Sequence, residues 1–396
     1  MTDKMIPFAD IVTPHLNMEE DLVAVFRSAL RTGKFIGGSE VEEFEVEFAQ
    51  YCGAKYCAAV GSGTDALRFA LIAAGVRPGE TAVTVPNTFM ATAEAISQAG
   101  AAVDFVDIDE RTYNMDAEAL KVYLESKCAV DNVSGRPVNK ATGSVVSAVI
   151  PVHLYGQMAD MDPIMELAQK YRLTVVEDAC QAHGAEYFSK REGRWMKAGS
   201  IGHAAAFSFY PAKNLGAFGE GGAVTTGSQD IARRVKMLRD HGQSRKYYHE
   251  IEGYNGRLDA IQAGILRIKL RRLTEWNALR QEAAASYGQL LRDINAVSIP
   301  YEPEWSRCVH HLYVIRVKDR EGLRQHLSDN SIDTGLHYPV PLHLQDAYVH
   351  SGFKKNDFPM SEKAAEEILS LPMYPGLTMS QQQRVADAIR QYVSRI

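Results

Sequence analysis

A single lysine, Lys213, lies in the middle of the segment FSFYPAKNLGAFGEGGAVTT, residues 207–226. The segment is apolar up to Tyr210, turns through Pro211 into a glycine-rich stretch and resumes as a short apolar strand. Apolar surroundings disfavour the ammonium form of a lysine, and an unprotonated amine can form a Schiff base with an aldehyde cofactor. Lys213 is therefore a candidate covalent nucleophile. For this segment alone, a surface lysine in a polar turn is the alternative.

Two other groups of residues could bind parts of such a cofactor. The run GSGTD, residues 61–65, follows an apolar stretch and opens a helix. Backbone amides at a helix N-terminus, with glycine and hydroxyl side chains beside them, form an anion site suited to phosphate; an ordinary N-cap is the alternative. Asp178 ends a buried strand at the sheet edge where open α/β folds bind ligands. Its carboxylate could bind a cation or a protonated ring nitrogen, or it could cap a helix.

Phe89 and Asn255 give weaker signals, and the histidines raise a metal hypothesis. Phe89 follows the apolar run 82–85 and could stack on a cofactor ring, although a core or rim phenylalanine is the commoner case. Asn255 precedes a long helical pattern and could serve a neighbouring chain. Among twelve histidines, the adjacent pair His310 and His311 would point to opposite faces of a strand. No histidine pair four apart with an acid stands out on a helix, so no metal site is predicted.

Short apolar runs must position these residues. Several are continuous rather than alternating, which is typical of strands covered on both faces. Helical patterns separate many of them, and this rhythm predicts an α/β fold with a mostly parallel sheet and helices on both sides. The predicted strands span residues 82–85, 102–107, 145–152, 174–177, 204–209 and 222–225.

Two helix starts carry capping signals, and one stretch between the predicted elements has no periodic pattern. Ser39 and Glu42 have the spacing of a capping box. Asp162 followed by Pro163 has the pattern of an N-cap with proline at the first helical position. Residues 126–144 are polar and aperiodic, so they are predicted to form an exposed loop.

One long helical pattern divides the chain. Residues 257–293 contain no proline, and apolar residues recur in them at spacings of three and four, which predicts one long helix or two in tandem. A chain of 396 residues has room for a large and a small domain. We therefore predict a large domain over residues 1–256, a linking helix over 257–294 and a small C-terminal α+β domain over 295–396.

Composition excludes several classes of function. A net charge of −6 gives no electrostatic reason to bind nucleic acid or an anionic membrane. The apolar runs are far shorter than the ~20 residues that a membrane helix needs. The first residues, MTDKMIPFADIVTPHL, have neither the apolar core nor the cleavage site of a secretory signal. Five scattered cysteines without a CxxC pair suit a reducing compartment, so a cytoplasmic protein is expected.

Seven motifs in a fixed order carry a resemblance that covers nearly the whole chain: FIGGSEVEEFE, GSGTDAL, VPNTFMATA, VHLYGQMADMDPI, VEDACQAHGA, SFYPAKNLGAFGEGGAV and HYPVPLHLQDAY. In these motifs the chain resembles the DegT/DnrJ/EryC1/StrS sugar aminotransferases, enzymes of the aspartate-aminotransferase fold that depend on pyridoxal 5'-phosphate (PLP). The resemblance implies a large α/β domain with a seven-stranded, mostly parallel sheet flanked by helices, and a smaller C-terminal α+β domain. It also implies a homodimer with shared active sites.

The resemblance assigns roles around the cofactor ring. Lys213 would hold PLP as a Schiff base, and Asp178 would pair with the pyridinium nitrogen; these are the expected catalytic residues. A carboxylate against that nitrogen keeps it protonated, so that the ring can act as an electron sink. Gln181 would lie near the ring hydroxyl, and Phe89 would stack on the ring.

Further roles concern the phosphate, the partner subunit and the substrate. Asn255 would reach the phosphate of the other subunit's cofactor. His337 and Tyr338 match a segment that lies near the substrate in relatives. Three residues would bind the phosphate in their own subunit: Gly63, Thr64 and Ser208.

The implied reaction is a ping-pong transamination. An amino acid, with L-glutamate as the expected donor, leaves its amine on the cofactor, and a nucleotide-linked keto-deoxysugar collects it. The segment HYPVPLHLQDAY favours members that aminate a 3-keto sugar. The alternatives are an aminotransferase acting on a C-4 keto sugar or a cyclitol ketone and, from another class, a non-catalytic regulatory member. Relatives that catalyse dehydration replace the lysine with histidine, so the presence of Lys213 disfavours that branch.

Overall fold

The computed structural model describes residues 5–395. Its α-helices are Thr13–Leu16 (α1), Glu19–Thr32 (α2), Ser39–Cys52 (α3), Gly63–Ala73 (α4), Met90–Gln98 (α5), Ala117–Val122 (α6), Met161–Tyr171 (α7), Gln229–Leu238 (α8), Ala260–Leu291 (α9), Arg320–Asp329 (α10), Pro359–Glu367 (α11) and Met379–Val393 (α12).

The strands are Tyr56–Val60 (β1), Thr81–Thr84 (β2), Ala102–Phe105 (β3), Cys128–Val130 (β4), Pro137–Asn139 (β5), Val146–Val149 (β6), Thr174–Asp178 (β7), Glu186–Ser189 (β8), Arg194–Lys197 (β9), Ala204–Ser208 (β10), Gly222–Thr226 (β11), Gln243–Arg245 (β12), Tyr248–His249 (β13), Ser306–Arg307 (β14), Tyr313–Arg316 (β15) and Ile368–Leu371 (β16). Single turns of other helix types occur at Tyr123–Lys127, Leu154–Gly156, Leu342–Leu344 and Asp346–Ser351.

A seven-stranded sheet in the order β1-β11-β10-β7-β6-β2-β3 forms the centre of the molecule. Only β11 runs antiparallel to its neighbours, β1 and β10, and the remaining pairs are parallel. The prediction of an α/β fold with a mostly parallel sheet is therefore confirmed. All six runs predicted as strands lie in this sheet, with ends that differ by a few residues at most.

The sheet is covered on both faces because successive strand residues point to opposite sides. On β7, Val175 packs with α3, α7 and the first half of α9, whereas Val176 packs with α4, α5 and α8. Ala205 and Ala206 divide between the same two cores on β10. Continuous apolar strands are thus required, since neither face meets water.

Helix α9 is a single helix of 32 residues, and it contributes to two cores. At 1.5 Å per residue it is roughly 48 Å long. Leu266 and Leu273 in its first half pack against the central sheet, whereas Tyr287 and Leu291 in its second half pack with the C-terminal elements β15, β16 and α12. Ile6, from the start of the chain, lies in this second core. The domain limits at residues 256 and 294 remain a prediction.

Both predicted capping signals are wrong in detail, although each helix exists. Ser39 is the first helical residue, and Gly38, with φ 81°, holds the cap position without a side-chain bond. Asp160 is the cap residue of α7, so Asp162 lies inside the helix. The Asp162 carboxylate instead accepts a hydrogen bond of 2.7 Å from the Ser189 hydroxyl and so anchors strand β8.

The predicted exposed loop at residues 126–144 is also wrong in part, because it contains the β4–β5 hairpin. Its base is tied to strand β3 through Asp104, whose carboxylate accepts hydrogen bonds from the Tyr123 hydroxyl (2.7 Å) and the Asn139 amide (3.1 Å). Polar residues here make tertiary bonds that a periodicity search does not detect. Within residues 5–395 no helix has the length and apolarity that a membrane span requires, and all five cysteines are free.

The first testable prediction concerns the aromatic cluster beneath the active-site strand β10. Phe48 is fully buried, and its ring lies 5.0 Å from that of Phe207 and 5.2 Å from that of Phe209. Phe48→Ala is expected to lower the free energy of unfolding by about 3–5 kcal/mol, because it removes a ring and leaves a cavity. Urea denaturation measures this loss. Val46→Ala, on the exposed side of the same helix, is the control and should change stability by less than about 0.5 kcal/mol. Similar effects of the two changes would contradict the packing role.

Candidate active site

A pocket of about 680 Å³ opens at the C-terminal ends of β7 and β10. This is the edge of a parallel sheet at which α/β proteins bind ligands. All the predicted site residues except Asn255 line it: Gly63, Thr64, Phe89, Asp178, Gln181, Ser208, Lys213, His337 and Tyr338.

Lys213 lies in a tight loop that leaves the end of β10. Its backbone N–H donates to the Tyr210 carbonyl at 2.9 Å. Gly216 closes the loop, where a Cβ atom would lie 2.3 Å from the Pro211 carbonyl oxygen. Burial lowers the pKa of the Lys213 ammonium, and nearby Cys180 and Asp178 only partly oppose the shift. The side chain therefore lies in the pocket rather than in an exposed turn, with its neutral form favoured relative to a surface lysine.

Asp178 ends β7, and its side chain is buried at the pocket wall. One carboxylate oxygen accepts a 2.7 Å hydrogen bond from the Thr92 hydroxyl, and the other accepts a 3.2 Å bond from the Cys180 backbone N–H. The Thr92 hydroxyl is in turn 2.9 Å from that of Thr88, at the start of the segment that leads into α5. These bonds fix the orientation of the carboxylate and leave it capacity to accept another donor.

Glu177 precedes that aspartate on the strand and points to the opposite face, where it is fully buried. Its carboxylate contacts His153 Nε2 at 3.0 Å and accepts backbone N–H bonds from Gly199, Ile201 and Gly202 at 2.7–2.9 Å. Burial alone would raise the pKa of Glu177, but the His153 and backbone hydrogen bonds hold it below its ordinary value. Glu177 is thus a structural carboxylate that ties the segment before β10 to the sheet.

The start of helix α4 has the features of an anion site. Ser62 is the N-cap, and its hydroxyl accepts a 3.1 Å bond from the Asp65 N–H. Gly63 lets the helix approach β10, because a Cβ atom there would lie 2.5 Å from the Ser208 Cβ. The hydroxyls of Thr64 and Ser208 line the pocket beside these backbone amides. Hydroxyls and free amides at a helix N-terminus are suited to a phosphate.

Gln181 joins the large domain to the His337–Tyr338 segment. Its carbonyl oxygen accepts a 2.7 Å bond from the Tyr155 N–H, and its amide donates at 3.1 Å to the Tyr338 hydroxyl. The Tyr155 hydroxyl donates to the His337 carbonyl. The Tyr338 ring lies 5.6 Å from the ring of Phe89, which also lines the pocket and is 56% exposed. Two aromatic side chains therefore flank the pocket mouth.

Three histidines in or beside the pocket are held in the neutral form. Burial, assisted by the positive charge of Lys213, lowers the pKa of His337 to about 4 and that of His183 to about 3. The same two causes, with further nearby cations, place the pKa of His311 well below its usual range. In residues 5–395 there is no cluster of three or more His, Cys, Asp and Glu side chains that could hold a metal ion.

Thr92 and Arg280 line the pocket but were not predicted. Thr92 follows Phe89 by three residues, in the first turn of α5, so the helical period of that segment could have indicated it. Arg280 occupies a position in the apolar stripe of α9 that continues through Leu273, Trp276 and Tyr287. A charged residue in an apolar stripe is the signal that could have found it.

Asn255 is exposed and does not line the pocket of its own chain. It precedes α9, and its side-chain oxygen accepts a 2.8 Å bond from Arg257. The chain described here therefore does not bring Asn255 together with the other predicted residues.

A lysine and a carboxylate in one pocket beside a phosphate-type helix start, at the end of a seven-stranded sheet, define a PLP-dependent aminotransferase site. The family model for the DegT/DnrJ/EryC1/StrS aminotransferases matches residues 16–390, and the chain belongs to this family. The family resemblance predicted from the seven motifs is confirmed.

Two curated relatives differ in their descriptions. The chain is 40% identical to the dTDP-3-amino-3,4,6-trideoxy-alpha-D-glucose transaminase of Streptomyces venezuelae, over 99% of this chain and 97% of the relative. It is 39% identical to a protein described as a pleiotropic regulatory protein of Geobacillus stearothermophilus, over 98% of both chains.

Two solved structures share the whole fold. The crystal structure of S. venezuelae DesV in complex with a ketimine intermediate is 39% identical and superposes with a TM-score of 0.90 over 99% of both chains. The structure of NtdA from Bacillus subtilis contains bound PMP, the amine form of the cofactor. It is 27% identical, with a TM-score of 0.84 over 100% of this chain and 87% of the other.

The second prediction follows from the neutral histidines. His183 is fully buried against Phe207 and Phe209, so its folded-state pKa of about 3 lies far below the unfolded value of 6.5. The unfolded state therefore binds the extra proton, and stability is complete above about pH 6.5 and decreases as the pH falls toward about 3. At pH 5 the expected loss from this residue is about 2 kcal/mol relative to pH 7.5.

Urea denaturation of wild type and His183→Phe at both pH values measures the effect. Phenylalanine has similar size and cannot be protonated, so its stability should depend less on pH by about that amount. An equal pH dependence in both proteins would contradict the assignment. Val46→Ala, which lies far from any titrating group of the pocket, is expected to keep the wild-type pH dependence.

Proposed function

We propose that this protein transfers the amino group of L-glutamate to the 3-keto group of a nucleotide-linked deoxysugar, with PLP as cofactor. The observation that carries the proposal is the convergence of Lys213, Asp178 and the start of α4 in one pocket that His337 and Tyr338 close from the other side. The choice of a 3-keto sugar is supported by the activity for which the S. venezuelae relative is named and by the segment HYPVPLHLQDAY.

The residues of the pocket fit PLP. A phosphate would bind at the N-terminus of α4, where the close packing of Gly63 on Ser208 leaves backbone amides and hydroxyls toward the pocket. When bound, PLP supplies an aldehyde for covalent attachment and an electron-accepting ring. Phe89 at the exposed rim would stack on that ring, and Gln181 would lie near its hydroxyl.

Lys213 would serve as the covalent anchor and then as the proton carrier. Because burial lowers the pKa of its ammonium group, the amine is readily deprotonated and can accept a proton from the donor's α-carbon. Its position in a loop closed by Gly216 fixes where the nitrogen can move. In the second half-reaction, in which the keto sugar collects the amine, the same lysine amine would deliver a proton to the sugar carbon that receives nitrogen.

Asp178 would hold a proton on the cofactor ring nitrogen. The Thr92 and Cys180 hydrogen bonds already orient its carboxylate, so little reorganisation is required when the ring binds. His311 and His337 are held neutral by burial and by the charge of Lys213, so burial of the lysine itself is what favours its free amine.

We further propose a homodimer in which Asn255 reaches the cofactor phosphate of the other subunit. Asn255 is exposed and lies outside its own pocket. Large apolar side chains are exposed nearby in the chain and around the pocket mouth, which suits a surface covered by a second copy: Phe35, Ile36, Tyr210, Phe218, Tyr247 and Tyr248. The free cysteines suit a cytoplasmic setting.

The second candidate is a regulatory role without catalysis, which the name of the G. stearothermophilus relative, a pleiotropic regulatory protein, favours. A purely regulatory protein has no chemical need for Lys213 and Asp178 together in a pocket. An aminotransferase acting on a C-4 keto sugar or a cyclitol ketone would use the same chemistry, and only the residues that contact the acceptor would differ.

The third prediction tests the reaction. With L-glutamate as donor, purified enzyme is expected to aminate nucleotide-linked 3-keto deoxysugars in preference to 4-keto isomers and cyclitol ketones, as measured by mass spectrometry and NMR of the products. Borohydride should fix PLP to Lys213. Lys213→Ala is the matched control, and it should lose covalent attachment and turnover while keeping its fold, because it removes a site group and not core volume. A protein that takes up no PLP, or amination only at C-4, would overturn the corresponding part of the proposal.

The fourth prediction tests the shared site. Lys213→Ala and Asn255→Asp should each be inactive as homodimers, the second because a carboxylate repels the phosphate. Mixed after subunit exchange, they form hybrid dimers in which one of the two sites has both native residues, so activity should return to about a quarter of wild type. The control mixture is Lys213→Ala with Asp178→Asn. Both residues are contributed by the same subunit, so neither site of that hybrid dimer has both native residues, and activity should not recover. No recovery in the first mixture would contradict the placement of Asn255.

A further inference from the structure

We propose that Arg280 binds the α-carboxylate of the amino-acid donor in the active-site pocket. The inference rests on the proposed function only in requiring that the donor is an amino acid. The guanidinium belongs to helix α9 and lines the pocket that contains Lys213.

Arg280 is 6% exposed and lines the pocket together with His311 and Met373. Its Nη1 atom donates to three backbone carbonyls, those of His310 (3.1 Å), His311 (3.4 Å) and Met373 (3.0 Å). These bonds orient the guanidinium plane but do not balance its charge, since a carbonyl carries only a partial charge.

No carboxylate pairs with Arg280 among residues 5–395, and its buried Nε–H has no hydrogen-bond partner there. Other well-covered arginines do have acidic partners: Arg239 pairs with Glu45, and Arg316 pairs with both Glu110 and Glu367. Burial of a cation without a counter-ion is costly, and a bound anion would offset that cost. Burial lowers the pKa of the Arg280 guanidinium to about 10, which leaves it charged at neutral pH.

The charges of the pocket leave room for such an anion. Among the described residues that line it, Lys213 and Arg280 are the only lysine or arginine side chains. Asp178 already accepts hydrogen bonds from Thr92 and Cys180, and Glu220 lies exposed at the rim. Because Lys213 is the proposed covalent anchor, Arg280 is the one cationic side chain of this lining that stays available to bind a carboxylate.

The position of Arg280 suits the carboxylate next to the reacting carbon. The positive charges of Lys213 and Arg280 both act on His311, so both cations lie near that ring in the pocket. The donor's α-carbon must reach the Lys213 nitrogen, and the α-carboxylate is one bond from that carbon. A planar guanidinium matches a carboxylate with two parallel hydrogen bonds, which the free Nε–H can help to form. The phosphate-type site at Gly63 is separate from this group.

The decisive experiment compares donors in the first half-reaction of the holoenzyme, followed by the cofactor absorbance. L-Glutamate is compared with L-isoglutamine, in which the α-carboxylate is an amide, and with L-glutamine, in which the γ-carboxylate is an amide. Loss of a hydrogen-bonded charge at Arg280 should raise the half-saturation concentration about 10- to 100-fold for isoglutamine. Equal values for glutamate and isoglutamine would overturn the proposal without any substitution in the protein.

Variants then assign the discrimination to Arg280. Arg280→Met should bring glutamate to the level of isoglutamine, whereas Arg280→Lys should retain part of the preference because it keeps a charge. Arg267→Met is the matched control, since Arg267 is an arginine of the same helix that pairs with Glu40 and Glu47 outside the pocket. It should keep the wild-type preference. Isothermal titration of 2-oxoglutarate into the pyridoxamine form gives a second readout, in which binding weakens by a similar factor only in the Arg280 variants.

A structural role for Arg280 predicts a different pattern. If the arginine only organises the His310 and Met373 carbonyls, Arg280→Met should slow the donor and keto-sugar half-reactions alike and leave the preference for glutamate intact, which would overturn the proposal. If Arg280→Met does not fold, the comparison of glutamate, isoglutamine and glutamine in wild type and in Arg280→Lys still tests whether Arg280 binds the α-carboxylate. A protein that never accepts an amine from any donor fails the proposed function instead, so the two failures are distinguishable.

Discussion

The contact on which the site depends is the packing of the start of helix α4 against the ends of β10 and β11. A Cβ atom at Gly63 would lie 2.5 Å from the Ser208 Cβ, and one at Gly222 would lie 2.2 Å from the Ser62 carbonyl oxygen. Two glycines thus set the distance between the anion site and the loop that carries Lys213. Any larger residue at either position would separate a helix and a strand whose spacing determines whether one cofactor can reach both.

A second constraint comes from the opposite side of the pocket. The His337–Tyr338 segment is held by Gln181 and Tyr155, while Arg280 holds backbone carbonyls of the C-terminal part. Helix α9 runs through both cores and therefore fixes these two walls relative to each other. The pocket is formed at this junction, so its shape depends on packing far from the chemistry.

Local patterns predicted the fold and singled out Lys213 and Asp178, whereas Gln181, Ser208, His337 and Tyr338 were implied by the family resemblance. Lys213 and Asp178 follow strands, and strand ends meet at one sheet edge. Sequence reasoning failed where a residue's role depends on a distant partner. Ser39 is a helix residue because Gly38 takes the cap, and residues 126–144 form a hairpin that Asp104 anchors. Arg280 carries a sequence signal, a charge in the apolar stripe of α9, but its place in the pocket and its unpaired Nε–H are visible only in the three-dimensional structure.

The position of Ile6 has a consequence for how the chain acquires its structure. Ile6 is buried with Ile332, Tyr313 and Val385, so residues from both ends of the sequence complete one core. During synthesis the first segment to leave the ribosome must wait for one of the last before its apolar side chain is covered. The central sheet can assemble earlier, since its last strand, β11, ends at Thr226. The wall that carries His337 and Tyr338 comes later in the chain, so it is synthesised after the strands that position Asp178 and Lys213.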